Sequence, residues 1–354
     1  MINMKRVGII TINSDNYGNR LQNYALQQVL SGLGFESYTI PRKRPIDSYI
    51  KRSLIGIKNC IRSVARTKKG VFLRFNNRYI RYSSAWASAT EYSNGLAEEF
   101  DYFIVGSDQV WNPIYSDLPH KPVGICDLLV FAKSEQKISY ASSFGIDFIP
   151  PQKRELFCNC LSDFRAISVR EYSGLNIVRN LLGRECEVVL DPTLLLEAKQ
   201  WNKIKRNPLA ISLKSYVLMY FLDGKGNIAE REEKKIAGRE IIDINEINKS
   251  RRFAAIGPCE FLALIDSADE VWTNSFHATV FSLIFHKHFR TFPREGIDMS
   301  SRIKTLATIT GIDNCFDNEG ILDLRGDVDF NSIDRNIYQV REKSMVFLRD
   351  ALYI

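Results

Sequence analysis

The feature that most restricts the fold is a repeated pairing: an apolar, strand-length run followed at once by a polar turn. KRVGIITI (Lys5 to Ile12) runs into SDNYGN, FDYFIV (100–105) into GSDQVWN, QKISYAS (136–142) into SFG, and AISV (166–169) into Arg170-Glu171. EVVL (187–190) ends at Asp191-Pro192. Helical patterns separate these runs. One starts at Arg20, with Leu21, Tyr24, Ala25, Gln28 and Val29 on one face and Gly32 and Gly34 as its stop; others lie near 151–162 and after Glu171. Apolar strands alternating with helices specify a parallel α/β sheet. Open sheets of this kind take ligands at the carboxyl ends of their strands, where the polar turns fall.

The pattern lapses near 196–212 and then starts again. Ser215 to Leu222, Ile241 to Ile244, Glu270 to Thr273 and HFRTFP read as strands, with helices near 259–267 and 277–286. A chain of 354 residues exceeds what one core usually serves. Two similar α/β domains facing a cleft are expected, over 1–200 and 201–325. A final helix within 326–354 would cross back onto the first domain.

Composition narrows the setting. Hydrophobic residues at 45% and charged residues at 25% match a soluble globular protein. No apolar run approaches the roughly 20 residues of a membrane-spanning helix. The opening MINMKRVGIITI lacks the apolar core and cleavage site of a signal peptide, so a cytoplasmic protein is expected. The seven cysteines read as reduced thiols, and Cys158-Asn159-Cys160 has no second pair to complete a zinc site. The net charge of +7 is local: residues 42–81 hold thirteen Lys or Arg against one acid, Asp47. Ile50, Leu54, Ile57, Ile61 and Val64 recur at helical spacing within that segment, with Lys51, Arg52, Lys58, Arg62 and Arg66 on other faces. A solvated face, contact with an anionic membrane surface, and nucleic-acid binding are the readings, in that order. No nucleic-acid motif accompanies the charge, so no nucleic-acid partner is expected.

WTNSFHATVFSLIFHKHF, residues 272–289, holds three of the four histidines. His277 stands where a strand hands over to a helix, between Thr273-Asn274-Ser275 and the apolar run Val280 to Phe285. A helix N-terminus favours anions, and a histidine beside it holds a phosphate or protonates a leaving group near neutral pH. The structural alternative is that Ser275 caps the helix and His277 fills space; spacing does not choose between them. His286 and His288 read as surface or structural residues, and no carboxylate cluster nearby completes a metal site. Arg170, at a strand's carboxyl end, is placed to clamp a phosphate or carboxylate, or else to pair with Glu171 or Asp163. Asp191 would orient Arg170. The turn with Ser107, Asp108, Gln109, Trp111 and Asn112 suits sugar binding, with polar groups for hydroxyls and an indole face for the ring; its alternative is a turn with a buried Trp. SDNYGNRLQ has the same character through Asp15, Asn16, Tyr17 and Asn19. Its single glycine matches neither a dinucleotide fingerprint nor a P-loop, so NAD and ATP are not expected.

Taken in order, NYGNRLQNYALQ, VGSDQVWNP, YASSFG, SVRE, DPT and GPCEFLALIDSADEVWTNSFHATVFSLIF resemble the polysaccharide pyruvyl transferase family over about residues 5–312. The resemblance implies two Rossmann-like domains in a GT-B-like arrangement. It also implies phosphoenolpyruvate as donor, a saccharide hydroxyl pair as acceptor, and a pyruvyl ketal on a polysaccharide precursor as product, with no separate cofactor. By resemblance His277 and Arg170 are the catalytic pair, with Ser275, Asn274 and Thr279 on the donor side. The loops 14–19 and 106–112 would hold the acceptor. Some members carry Arg two residues before the equivalent histidine. Here Ser275 stands in that place, so a cation must come from elsewhere, and Arg302 and Arg294 are the candidates. Acceptors of this class are often lipid-linked, which gives the basic segment 42–81 a role at the inner membrane face. A GT-B-like glycosyltransferase using a nucleotide sugar and a non-catalytic saccharide-binding protein are the competing readings.

Overall fold

The computed structural model describes residues 4–42, 67–114, 124–208, 214–222, 224–236, 238–250, 255–294 and 300–353. The first domain is built on β1 (Arg6–Ile10), β2 (Glu36–Thr39), β3 (Tyr102–Asp108), β4 (Lys137–Ser142), β5 (Ala166–Val169) and β6 (Glu187–Val188). These form one parallel sheet in the order β2-β1-β3-β4-β5-β6. Its helices are α1 (Tyr17–Gly32), α2 (Lys68–Tyr79), α3 (Pro151–Leu161) and α4 (Tyr172–Leu182). Short helices α5 (Pro192–Leu195) and α6 (Ala198–Trp201) lead out of it. All six residues of β4 are buried, as expected of a central strand covered on both faces.

The second domain carries β7 (Val217–Tyr220), β8 (Ile241–Asp243), β9 (Glu270–Thr273), β10 (His288–Thr291) and β11 (Leu322–Asp323), ordered β11-β10-β9-β7-β8. Only the edge strand β11 runs antiparallel, against β10. Around it lie α7 (Gly226–Glu233), α8 (Ile244–Lys249), α9 (Pro258–Ser267), α10 (Phe276–Ile284) and α11 (Ser300–Thr310). Two mostly parallel α/β sheets thus make two Rossmann-like domains, consistent with the GT-B-like arrangement that the resemblance implies.

The helix α12 (Phe330–Tyr353) returns to the first sheet. Its Phe347 meets Tyr140 of β4, its Ser344 Oγ accepts the Leu190 N–H at 3.0 Å, and Arg341 Nε donates to the Leu194 carbonyl at 2.8 Å. Aromatic rings join the domains directly. Tyr17 stacks on Phe261 with centroids 4.4 Å apart, and its hydroxyl donates to the Ile256 carbonyl at 3.1 Å. Trp201 packs between Tyr24 of α1 and Phe281 of α10.

Within α1 the buried face differs by one residue from the expected one. Gln28 is exposed and Gln27 is buried, because Gln27 donates to Thr39 Oγ1 at 3.0 Å and to the Arg81 carbonyl at 2.8 Å. Its amide satisfies groups at the end of β2, so a polar residue takes an interior position. The proposed basic helix over 50–66 lies outside the described residues. Of its flanks, α2 buries Val71, Phe72 and Phe75 while Lys68 and Lys69 face solvent. Among the described residues no helix is long and apolar enough to cross a membrane.

Candidate active site

The carboxyl ends of the two sheets meet at one cluster of charge. The first sheet supplies Asp108 from the end of β3, Arg170 after β5 and Asp191 after β6. Asp108 adopts φ +64, a left-handed conformation that Asp tolerates better than most residues, as the chain turns after β3. Arg170 donates to Asp191 Oδ2 at 2.8 Å and to Asp108 Oδ1 at 3.2 Å, and its side chain is 2% exposed. Asp191 is saturated. Its Oδ2 also accepts Ser107 Oγ at 2.6 Å, and its Oδ1 accepts the Thr193 N–H and hydroxyl at 3.0 and 2.7 Å.

The second domain supplies His277, on the first turn of α10. Ser275 is the N-cap, accepting the Ala278 N–H at 3.5 Å. His277 Nε2 lies 3.5 Å from Asp191 Oδ2, too long for a tight hydrogen bond, and that buried nitrogen has no hydrogen-bond partner among the described residues. The ring rests on the backbone of Gly18, where an added Cβ would fall 2.0 Å from Nδ1. Glycine at this point of NYGN is therefore a condition of the interdomain contact, not of a phosphate cradle.

Electrostatics fix the protonation of the carboxylates. Burial alone would raise Asp108, but Arg170, His277 and Arg302 hold it below the ordinary aspartate value. Burial acts likewise on Asp191; His277, Arg170 and the Ser107 hydroxyl outweigh it and hold Asp191 well below that value. Burial disfavours the Arg170 charge, yet Asp108, Asp191 and Glu171 raise its pKa. Two carboxylates thus face two guanidiniums, with Arg302 Nη1 3.7 Å from Asp108.

Beside this cluster, on the second domain, lies a cavity of about 180 Å³ lined by Asn274, Phe276, Arg294, Ser300, Arg302 and Lys304, among others. Phe276 forms the partition. Its ring carries the Arg170 guanidinium at 4.5 Å and that of Arg302 at 5.9 Å. His277 is the next residue and does not itself line the cavity.

Several expected roles need correction. Trp111 is fully buried: its Nε1 donates to the Asp127 carbonyl at 2.9 Å and its ring packs on Phe144 and Phe164, so it offers no face to a sugar. Tyr17 is an interdomain packing residue. Ser107 is interior and bound to Asp191, and Asn112 is interior with its amide on Gln109 at 2.7 Å. Gln109 is 5% exposed. Asn19 is buried and donates to Asp108. Thr279 is fully buried, sharing a 2.7 Å hydrogen bond with Thr291, and does not reach the cavity. Arg170 is occupied by two carboxylates rather than held open as a clamp; Asp191 does orient it. Asn274 lines the cavity while its amide grips both backbone groups of Leu222. Asp15 is exposed, and Asn16 caps α1 through the Gly18 N–H at 2.9 Å. Arg302 and Arg294, the candidates for the missing cation, both border the cavity.

Phe276 and Lys304 were not anticipated, although the spacing Arg302-x-Lys304 in SSRIK is a legible sign of paired cations. Glu171 was considered only as a partner for Arg170. It is fully buried, and its Oε1 accepts Ser143 Oγ and the Phe144 N–H, both at 2.9 Å. Those contacts explain why YASSFG and SVRE occur together. His286 and His288 are exposed, and they contact Asp334 and the Leu324 carbonyl.

A family model described as polysaccharide pyruvyl transferase matches residues 16–295. Among curated proteins none matches the sequence. Solved structures similar to the chain include a functionally uncharacterised protein of Klebsiella pneumoniae, with 12% identity over 85% of this chain and 88% of that one and a TM-score of 0.44. The UDP-GlcNAc 2-epimerase of Methanocaldococcus jannaschii shows 13% identity over 95% and 99%, with a TM-score of 0.42. A spinosyn rhamnosyltransferase shows 11% over 99% and 96%, with a TM-score of 0.36.

Proposed function

The chain belongs to the polysaccharide pyruvyl transferase family, and on that premise we propose that it moves the pyruvyl group of phosphoenolpyruvate onto two hydroxyls of a saccharide, forming a ketal. The observation that carries this reading is His277. A buried imidazole with an open Nε2 sits beside an ionised carboxylate, one residue from a cation-rimmed cavity of three-carbon-phosphate size.

In this mechanism Arg294, Arg302 and Lys304 hold the donor's phosphate and carboxylate, and Phe276 gives its enol a flat apolar wall. With the phosphate and carboxylate held in the cavity, the enol carbon projects past Phe276 toward His277, which donates a proton to C3, and the positive charge appears at C2. One saccharide hydroxyl attacks C2, the C2–O bond to phosphate breaks, and a second hydroxyl closes the ring. One hydroxyl proton restores His277 and the other leaves with phosphate. Asp191, kept ionised by its neighbours, stabilises the protonated imidazole before transfer. Asp108 and Arg170 hold that carboxylate cluster still. Asp15 and Asn16, partly open to solvent, and the end of β3 face the acceptor. A polysaccharide precursor carried on lipid would be met at the membrane through the basic segment 42–81, a contact that anionic liposomes at low salt would report.

The test is thermal stabilisation followed by product analysis. Phosphoenolpyruvate raises the melting temperature of the wild type, and Arg302→Met abolishes the rise. His277→Ala still binds the donor but yields no ketal methyl signal by NMR with any acceptor the wild type accepts. Stabilisation by UDP and not by phosphoenolpyruvate sinks the proposal in favour of sugar transfer from a nucleotide.

A further inference from the structure

Arg20 lies on the first turn of α1, and its side chain is 5% exposed. Its nearest carboxylate, Asp15, is 3.8 Å away and 44% exposed. Its other contact is the neutral hydroxyl of Tyr82, at 3.5 Å from Nη1, and its buried Nε has no partner. Three other guanidiniums, of which Arg170 and Arg290 are buried and Arg42 is half-buried, are built differently. Arg42 meets Asp127 at 2.6 and 2.7 Å, Arg170 meets Asp191 at 2.8 Å, and Arg290 meets Glu232 at 2.9 Å. The contrast shows in their acidities. Burial acts to lower Arg20, Arg42 and Arg170, but the carboxylates beside Arg42 and Arg170 reverse the effect, whereas Arg20 stays below the ordinary arginine value despite Tyr82 and Asp15. A buried guanidinium presents five donors, and leaving them without a counter-charge is costly. No acid stands in the first turn of α1, so the positive end of a 16-residue helix adds to the same spot.

We infer that Arg20 is the anchor for an oxyanion, a phosphate or carboxylate, carried by the acceptor saccharide. Position separates this site from the donor cavity. Arg20 belongs to the first domain, two residues from Gly18, which touches His277; the cavity with Arg294 and Arg302 lies on the second. Asp15 has no closer contact among the described residues, so it turns to solvent when the oxyanion takes its place. The inference rests on the proposed transferase reading for the word acceptor, but the anion site itself does not depend on it.

The probe is inorganic phosphate, titrated calorimetrically into the full chain. The wild type binds at two sites, and Arg302→Met and Arg20→Met each retain one. Phosphoenolpyruvate competes for the site left in Arg20→Met and not for the site left in Arg302→Met. Glucose 1-phosphate and glucuronate, each against glucose, then tell which oxyanion the sugar carries; the preferred one binds at least tenfold tighter than glucose, and Arg20→Met erases the difference. Arg20→Met also melts at or above the wild-type temperature, because it removes an under-neutralised buried charge. Unchanged phosphate stoichiometry in Arg20→Met, a lowered melting temperature in that variant, or wild-type indifference to both acidic sugars overturns the inference. If phosphoenolpyruvate competes at neither site, the donor reading fails while the site count still decides the role of Arg20.

Discussion

The two strand ends that meet in the cleft are built to opposite specifications. On the first domain, Ser107, Asp108, Arg170 and Asp191 bind one another, and Ser107, Arg170 and Asp191 are withdrawn from solvent. On the second, Phe276, Arg294, Arg302 and Lys304 surround empty space. One side holds charge still; the other leaves room. The side that looks most chemical in sequence, a run of polar residues at strand ends, is mostly scaffold. The side with room stands next to the apolar segment ATVFSLIF.

The comparison breaks hardest at Arg170. Arg170→Met leaves Asp108 and Asp191 buried without their nearest cation, and breaking a buried pair this way costs about 3–5 kcal/mol. Chemical denaturation at pH 7 checks it. Arg302→Met should cost less than Arg170→Met, because its Nη1 stands 3.7 Å from Asp108 where Arg170 is 2.8 Å from Asp191, while losing donor binding. Equal losses of stability would erase the distinction between scaffold and cavity.

Acid probes the same scaffold without mutation. Asp108 and Asp191 have folded-state pKa values below their unfolded ones. Their contribution is therefore fully present above the unfolded value, about 3.9. It is lost as pH falls through the folded values. Stability should hold flat on the approach to pH 5 and decline below about pH 4. In Arg170→Met the decline still starts at the unfolded value but is smaller in total and ends at a higher pH, because the carboxylates keep less of their depression. An acid profile identical in the two proteins would mean that Arg170 does not hold these groups ionised.

Much of this architecture was legible beforehand, for a physical reason. Parallel strands buried on both faces must be apolar throughout, and the turns that end them must be polar, so the elements and their ligand-facing ends stand out in a linear reading. His277 and Arg170 stood out because charge or imidazole at such ends is conspicuous; Arg302, on α11, was named only as a substitute for the cation absent at Ser275. What stayed hidden is burial by tertiary partners. Trp111 and a sugar-stacking tryptophan look alike until Asp127 and Phe164 fold over one of them. Gln27 and Gln28 differ only in which one finds Thr39. Arg20 reads as an ordinary basic residue until its nearest acid among the described residues proves to be the exposed Asp15, at 3.8 Å.

A smaller effect is expected at the hinge between the two sides. Gly18→Ala places a methyl within 2.0 Å of the His277 ring, nearer than real contacts allow. Either the ring or the domain must shift. Overpacking of this kind costs about 1–3 kcal/mol, and a displaced imidazole slows turnover more than it weakens donor binding. Steady-state kinetics in both substrates should show kcat falling with KM for the donor nearly unchanged. A rise in donor KM alone would put the donor against Gly18 rather than in the cavity beyond Phe276.

The gentlest test concerns Thr279, which shares the turn of His277 but not its surroundings. Its hydroxyl bonds Thr291 at 2.7 Å and the Ser275 carbonyl at 3.1 Å, inside the second domain. Thr279→Val keeps the shape and removes the donor and acceptor, at about 1 kcal/mol for the lost hydrogen bonding. Donor affinity should stay within twofold of wild type, since nothing in the cavity wall changes. Ser300 lines that wall at the start of α11, and Ser300→Ala is the matching substitution on the open side. It should weaken donor binding and leave stability nearly unmoved. If Thr279→Val weakened the donor as much as Ser300→Ala, the helix turn would be acting on the ligand directly, and the division between fixed charge and open cavity would have to be redrawn through α10 itself.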